Sequence, residues 1–115
     1  MRICFDLDGT ILSTEDSYYN AQPKPEVVAF IKKLKDQGHT IIIHTARKMN
    51  TYNNNPGKAL AKIGMLTFEQ LDKYDIVYDE IYFGKPSADF YIDDKAINAK
   101  DPNTFIEELN GILNN

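Results

Sequence analysis

The chain has 115 residues, of which 43% are hydrophobic and 26% charged, values typical of a folded domain rather than a disordered segment. Its 17 acidic and 13 basic residues give a net charge of −4, which argues against a nucleic-acid partner. No apolar run approaches the roughly 18 residues of a membrane span and no signal-peptide pattern opens the chain, so we expect a cytoplasmic protein that does not enter a membrane.

Apolar periodicity predicts strands and helices that alternate along the chain. Residues 2–7 are predicted to form the first strand, in which we expect the single cysteine, Cys4, to be buried. The next elements are a helix at 25–36, which begins at Pro25 and ends before Gly38, and a β-branched strand at 39–45. The remaining elements are a helix at 56–74 with breaks near Gly64 and Thr67, strands at 80–83 and 90–92, and a final helix that begins at Asp101-Pro102.

This alternation predicts an α/β fold, specifically a three-layer, doubly wound, Rossmann-like sheet that is mostly parallel and has helices on both faces. No repeat or linker divides the chain, so we expect a single domain over residues 1–115. Within the helix at 56–74, Thr67 and Gln70 are interpreted as a capping box that starts a second, shorter helix.

Polar side chains with catalytic potential follow each predicted strand. Asp6 and Asp8 stand at positions i and i+2, so they point to the same side of the first strand, although an isolated motif of this kind also occurs as an acidic turn. The other strands are followed by Thr45-Ala46-Arg47, by Gly84-Lys85-Pro86 and by Asp93-Asp94. Because the carboxyl ends of parallel strands meet at one edge of the sheet, we expect these groups to meet there.

This ordered set of motifs resembles the haloacid dehalogenase superfamily, most of whose members are phosphatases. The first motif is matched by F-D-L-D-G-T at 5–10 and the second by I-I-I-H-T at 41–45. The third is matched by Lys85 in F-G-K-P, and the fourth by Y-I-D-D at 91–94. The T-A-R sequence at 45–47 and the G-K-P-S-A-D-F-Y-I-D-D-K-A segment are similar to small phosphatases of capsule or polysaccharide biosynthesis. The spacing between motifs leaves no room for a cap domain, so the resemblance implies an open, capless site.

The resemblance also implies a reaction, a magnesium-dependent hydrolysis of a phosphomonoester through an aspartyl-phosphate on Asp6. Asp8 would protonate the leaving oxygen and then take a proton from water. Thr45 would donate to a phosphate oxygen, and Lys85 would offset the negative charge around the phosphoryl group. The residues expected to contact the substrate are Gly9, Thr10, Ala46 and Arg47.

A Mg²⁺ ion is the cofactor that the resemblance implies, held by Asp6, the backbone carbonyl of Asp8, and Asp93. Asp94 either binds the metal, directly or through water, or supports the other ligands. Four carboxylates without a cation would repel one another strongly, which gives an independent physical reason to expect both a metal and a lysine.

Several alternatives remain open at this point. The substrate is expected to be a small sugar phosphate or related metabolite, but a capless site also fits a phosphoprotein, a nucleic-acid end, or an oligomer whose neighbours cover it. A receiver-like module that accepts a phosphoryl group is a second class, although its acidic motifs occur in a different order. Arg47 has two possible roles. Its guanidinium either donates paired hydrogen bonds to phosphate or sugar oxygens, or it is part of a polar loop, like the asparagine-rich segment at 50–55.

Overall fold

A three-stranded parallel sheet lies at the centre of the computed structural model, which describes residues 1–114. Its strands are β1 (Arg2–Asp6), β4 (Thr40–Thr45) and β5 (Glu80–Phe83), in the spatial order β1-β4-β5. A short antiparallel hairpin, β2 (Leu12–Ser13) and β3 (Gln22–Pro23), encloses a 3₁₀ turn at Tyr18–Asn20. The helices are α1 (Pro25–Asp36), α2 (Pro56–Lys73) and α3 (Pro102–Leu113). The predicted α/β class and the mostly parallel sheet are confirmed, but within residues 1–114 the three helices share one core on one face of the sheet, not both faces as predicted.

The helices pack against one face of this sheet, where the hydrophobic core lies. Phe105 of α3 meets Phe5 of β1 and Phe30 of α1 edge-on, with ring centroids 6.5 and 6.3 Å apart. At the other end of the sheet, Phe68 of α2 packs on Phe83 of β5 at 5.6 Å. Burial of Phe5, Phe30 and Phe105, worth roughly 1.5–3 kcal/mol each, holds α1 and α3 on the sheet, whereas Phe68 of α2 stays 43% exposed.

The opposite face of the sheet is more open. Side chains alternate along a strand, and the register therefore places Cys4 of β1, Ile42 of β4 and Glu80 of β5 together on this second face. Ile42 lies outside the main core cluster, and Tyr82, on the same face, is 52% exposed. Cys4 is exposed as well, so the prediction that it is buried is wrong. The reason is that the helical core covers the other face of the strand.

The helix boundaries follow local chemistry. Helices α1 and α3 begin at a proline as predicted, since the ring fixes a helical φ and the first turn needs no amide donor. Helix α2 begins after Asn55, whose side chain accepts a hydrogen bond from the Lys58 amide at 3.1 Å. It then runs unbroken to Lys73, so the predicted breaks near Gly64 and Thr67 are wrong. Thr67 donates its hydroxyl to the Ile63 carbonyl at 2.8 Å, a contact of a residue inside a helix.

The segment between β5 and α3 carries the largest departure from the sequence-based expectation. The strand predicted at 90–92 is not formed, and every residue from 86 to 96 is exposed. Phe90 and Ile92 are 85% and 98% exposed. Across residues 1–114, each helix is too short or too polar to cross a membrane.

Candidate active site

The carboxyl ends of the three parallel strands open into a cleft of about 280 Å³. Its lining brings together side chains that are distant in the sequence: Asp6, Asp8, Tyr18, Ala46, Arg47, Lys48, Asn50, Thr51, Lys85, Ser87 and Tyr91. The ends of β1, β4 and β5 therefore converge as expected for a parallel sheet.

Asp6, at the end of β1, faces Lys85 across the cleft. Lys85 Nζ lies 3.4 Å from Asp6 Oδ1, and the two side chains are 21% and 35% exposed. Burial raises the pKa of Asp6 above its usual range, an effect that Lys85 partly opposes and the Asp8 charge reinforces. His44 is paired with Asp6 in the strand register, and partial burial together with Lys85 lowers its pKa. The first and third motifs thus form an ion pair, and its carboxylate is partly open to the cleft.

Local backbone geometry fixes the position of Lys85. Its amide donates to the Thr45 carbonyl at 3.1 Å, which continues the β4–β5 pairing beyond Phe83. Gly84 adopts a φ of +92°, and a Cβ at this position would lie 2.8 Å from the Pro56 Cβ. A glycine is therefore required for the chain to turn beside α2 and deliver Lys85 into the cleft.

Asp8, two residues beyond Asp6, is held by Arg47 in a two-point contact. Arg47 Nε lies 2.8 Å from Asp8 Oδ2 and Nη2 lies 2.9 Å from Oδ1. The Thr14 hydroxyl donates to the same Oδ1 at 2.6 Å. Paired N–H groups of a guanidinium match the geometry of a carboxylate, so this contact fixes both the position and the orientation of Asp8.

Arg47 is itself buried, with 2% of its surface exposed. Its Nη1 donates to Gln70 Oε1 at 2.7 Å and to Thr67 Oγ1 at 3.2 Å, both from the buried face of α2. The Tyr18 ring lies 4.9 Å from the guanidinium carbon. The sequence offers the Arg47 guanidinium as a ligand for substrate oxygens, but in the structure it binds protein groups instead. The geometry therefore gives Arg47 the role of orienting Asp8.

Thr67 and Gln70 are the site residues that sequence reasoning missed. Their sequence pattern predicts a helix cap, whereas Gln70 in fact donates from Nε2 to the Tyr18 carbonyl at 2.6 Å and so ties α2 to the hairpin. The available signal was their spacing of three on an amphipathic helix, which places two polar side chains on one buried face. Buried polar groups at such positions require partners, and Arg47 is that partner.

The remaining predicted contact residues lie around the cleft. Thr45 is 1% exposed, and its hydroxyl accepts a hydrogen bond from the Arg47 amide at 3.1 Å. Ala46 lines the cleft. Gly9 and Thr10 form the turn after Asp8, where Gly9 has a φ of +86° and its carbonyl accepts from Lys24 Nζ at 2.9 Å. Direct contact of these residues with a substrate stays a prediction.

Within residues 1–114 the acidic pair of the fourth predicted motif does not join the other three motifs, although Tyr91 of that motif lines the cleft with its ring centroid 4.1 Å from Lys85 Nζ. Asp93 and Asp94 lie in the exposed segment at 86–96, and Asp93 Oδ1 accepts a hydrogen bond from the Lys95 amide at 2.8 Å. Among residues 1–114, no three histidine, cysteine or acidic side chains cluster closely enough to hold a metal ion. The Asp8 carboxylate is held by Arg47 and Thr14, while Asp6 is paired with Lys85 and remains 35% exposed at the cleft. Within residues 1–114, Asp93 and Asp94 are therefore not brought to Asp6 as the expected Mg²⁺ ligand set requires.

The sequence and fold can be compared with known proteins. The family model of haloacid dehalogenase-like hydrolases matches residues 3–67. No curated protein matches the chain. A crystal structure of a target protein from Vibrio cholerae superposes with a TM-score of 0.84, at 35% identity over 98% of this chain and 96% of that chain.

Two further solved structures share the fold. The Pnkp1/Rnl/Hen1 complex matches with a TM-score of 0.51 and 26% identity, over 94% of this chain and 32% of that chain. A D,D-heptose 1,7-bisphosphate phosphatase from B. bronchiseptica, complexed with magnesium and phosphate, matches with a TM-score of 0.50 and 18% identity. That match covers 99% of this chain and 64% of the phosphatase, and it supports the fold.

Proposed function

The chain belongs to the haloacid dehalogenase-like hydrolases, and we propose that it is a phosphomonoesterase that works through an aspartyl-phosphate on Asp6. The observation that carries this proposal is the contact at the end of β1, where a partly exposed carboxylate faces Lys85 at 3.4 Å inside an open cleft. A carboxylate nucleophile beside a fixed cation suits attack on a phosphoryl group, because the cation offsets the charge that the phosphate brings.

Each side chain at the cleft has a defined part in the proposed reaction. Asp6 attacks phosphorus and displaces the leaving oxygen, which Asp8 protonates. Asp8 then takes a proton from the water that hydrolyses the phosphoenzyme, which releases inorganic phosphate and restores Asp6. Arg47 and Thr14 hold the Asp8 carboxylate in one orientation, and such positioning accounts for much of the rate in phosphoryl transfer.

Magnesium is part of this proposal as the expected cofactor. When bound, it would neutralise charge on the phosphoryl oxygens and hold them in line for attack. Asp6 offers the hard oxygen ligand that Mg²⁺ prefers, but within residues 1–114 no cluster of three acidic, histidine or cysteine side chains forms around it.

A small sugar phosphate or related metabolite is the proposed substrate. Its hydroxyl groups would form hydrogen bonds with the polar rim of the cleft. The support is the size of the cleft, near the lower end of ligand pockets at roughly 300 Å³, and its lining of hydroxyl and amide groups from Asn50, Thr51 and Ser87. The heptose bisphosphate phosphatase shares the fold, which makes sugar phosphates a reasonable first class to test. A role in polysaccharide biosynthesis and a cytoplasmic location belong to the same proposal.

The experiment is phosphate release by purified protein with Mg²⁺ from sugar phosphates, nucleotides and phosphopeptides. We expect turnover of at least one sugar phosphate and its loss in Asp6→Asn. Asp36→Asn, which changes an exposed acid at the end of α1, is the matched control and should keep full activity. Turnover of phosphopeptides alone would favour the macromolecular substrate. No release from any compound, or an active Asp6→Asn, would overturn the proposal, and a phosphoaspartate that persists for minutes would favour the receiver-like alternative.

A further inference from the structure

Residues 90–92 have the composition of a strand but lie in the exposed segment at 86–96, of which Ser87 and Tyr91 border the cleft. Phe90, Tyr91 and Ile92 are 85%, 51% and 98% exposed, and they directly precede the Asp93-Asp94 pair. Tyr91 packs its ring 4.1 Å from Lys85 Nζ, but Phe90 and Ile92 expose most of their apolar surface to water, which is unfavourable. The segment therefore has apolar surface to be covered, and it carries two acids in addition to the Asp6 and Asp8 of the cleft.

The first strand of the sheet offers a place for such a segment. Strand β1 lies at the edge of the sheet, paired with β4 on one side only within residues 1–114. Edge strands present unpaired backbone donors and acceptors, to which another extended segment can add. This edge runs directly to Asp6, so a strand added there in parallel would end at the cleft.

The connection from β5 is too short for the chain to fill this position itself. Strand β5 ends at Phe83, and only residues 84–89 separate it from the apolar segment that begins at Phe90. A connection between parallel strands of one sheet needs about a dozen residues or more. Lys85 is moreover held at the carboxyl end of the sheet by its contact with Asp6, while a parallel strand would have to start at the opposite end. A second chain is free of this constraint.

We propose that residues 90–94 of a second copy of this chain add in parallel to the free edge of β1 and bring the partner's Asp93 beside Asp6. The exchange is reciprocal in a two-fold dimer, so each copy completes the site of the other. The evidence for the pairing is the unpaired edge of β1, the exposed segment at 86–96 and the short connection after β5. The role of the partner's Asp93 as the missing acidic ligand rests on the proposed function.

Alternation of side chains gives the register of this pairing. With the partner's Asp93 level with Asp6, the partner's Ile92 lies beside Phe5 and the partner's Phe90 beside Ile3, on the face that the helices cover. The partner's Tyr91 falls beside Cys4 on the open face. The apolar pair thus meets the apolar face of the sheet, and the acid meets the cleft.

Cysteine cross-linking tests the register without any activity measurement. Adjacent parallel strands lie about 4.8 Å apart, within the range that a disulfide spans. In Tyr91→Cys we expect mild oxidation to join the new thiol to Cys4 of the other copy, giving a covalent dimer on a non-reducing gel that Cys4→Ser abolishes. Ile92→Cys is the matched control, because its side chain is also exposed but points to the opposite face in the proposed register.

Three results of this cross-linking would overturn the proposal. A disulfide within one chain would show that the segment reaches its own β1. Equal cross-linking of both variants would indicate random collision of exposed thiols. A wild-type protein that is monomeric by light scattering at the concentration of the assay, with no cross-link in Tyr91→Cys, would exclude the exchange.

Complementation then tests whether the exchanged acid serves the site. Asp6→Asn and Asp93→Asn are each expected to be inactive, whereas refolding them together in equal amounts should restore about a quarter of wild-type activity, since half of the dimers would carry one intact site of two. Each variant would also be combined with Tyr91→Cys to check that it still forms the covalent dimer. A mixture that stays inactive although both variants form this dimer would overturn the role of the partner's Asp93. If the wild type itself has no phosphatase activity, the proposed function fails while the cross-linking result still decides the pairing.

Discussion

The contact between Arg47 and Asp8 offers the sharpest test of the site geometry. Arg47→Lys keeps the positive charge but replaces a planar fork with a single ammonium, so the two-point contact is lost. Arg47→Met removes the charge and keeps most of the apolar volume. If Arg47 orients Asp8 as the structure shows, both substitutions should affect stability and turnover, and methionine should have the larger effect.

The size of the effect follows from burial. The Arg47 side chain is 0% exposed and that of Asp8 is 23% exposed, so most of the pair is removed from water. Removing one partner of a buried ion pair typically costs 3–5 kcal/mol, and we expect about 3 kcal/mol for Arg47→Met because Asp8 retains some solvent. Arg47→Lys should cost about 1–2 kcal/mol, since one charge-assisted hydrogen bond remains available. Domains of this size have a free energy of unfolding of roughly 5–15 kcal/mol, so both variants should fold.

Urea unfolding and steady-state kinetics would measure the two effects. Because Arg47 acts through Asp8, kcat should fall by about 100-fold in Arg47→Met while KM changes little. A double-mutant cycle with Asp8→Asn should give a coupling energy above about 1 kcal/mol.

Two results would contradict this reasoning. An Arg47→Lys variant as stable as the wild type would show that the two-point contact between Arg47 and Asp8 is not formed in solution. A rise in KM with kcat unchanged would place Arg47 in contact with the substrate, as the sequence first indicated.

Two further substitutions test the electrostatics and the backbone of the cleft. In metal-free buffer at pH 7, Asp6→Asn should raise the free energy of unfolding. Burial raises the pKa of Asp6 in the folded chain, so the folded chain binds this proton more tightly than the unfolded chain does. The wild type therefore loses stability as the pH rises through that pKa, and the asparagine variant does not. The gain should vanish below about pH 3, where both states are protonated, and a loss at pH 7 would show that the Lys85 pair outweighs desolvation. Gly84→Ala should destabilise the fold by at least about 1 kcal/mol, because Gly84 has a φ of +92° and an added Cβ would meet Pro56. Gly111→Ala on α3, where an added Cβ meets nothing, should stabilise the fold by about 0.5 kcal/mol. Urea midpoints in the opposite order would contradict this account of the two glycines.

Much of the fold was predictable because its signals are local. Proline at the first helical position and an apolar face located α1 and α3, and a β-branched run located β4. Helix α2 was interrupted in the prediction because Thr67 and Gln70 have the spacing of a capping box. Their real partner, Arg47, lies about twenty residues earlier in the sequence, and pattern reading has no access to such a contact.

The candidate site was predictable where a strand end fixes it. Asp6 and Lys85 meet as the carboxyl ends of parallel strands require, although their roles in catalysis stay predictions. The orientation of Arg47 could not be read from the sequence, because a guanidinium reaches either outward to a ligand or inward to Asp8 with the same backbone. The fourth motif failed differently: residues 90–92 have strand propensity, but propensity does not say whether the neighbouring strand belongs to the same chain.

A site shared between copies would make activity depend on assembly. Phe90 and Ile92 would contribute burial to the dimer while Asp93 completed the cleft, so the interactions that hold the copies together would be the same as those that deliver the acid. Dilution of the enzyme below its dissociation constant should then lower the specific activity. Metal affinity should fall with it, because within residues 1–114 a separated chain forms no cluster of three possible ligands around Asp6. Removal of apolar surface by Ile92→Ser should shift this dissociation to higher protein concentration without touching an acid or Lys85. A cleft completed within one chain would show neither dependence, since its ligands would stay together at any concentration.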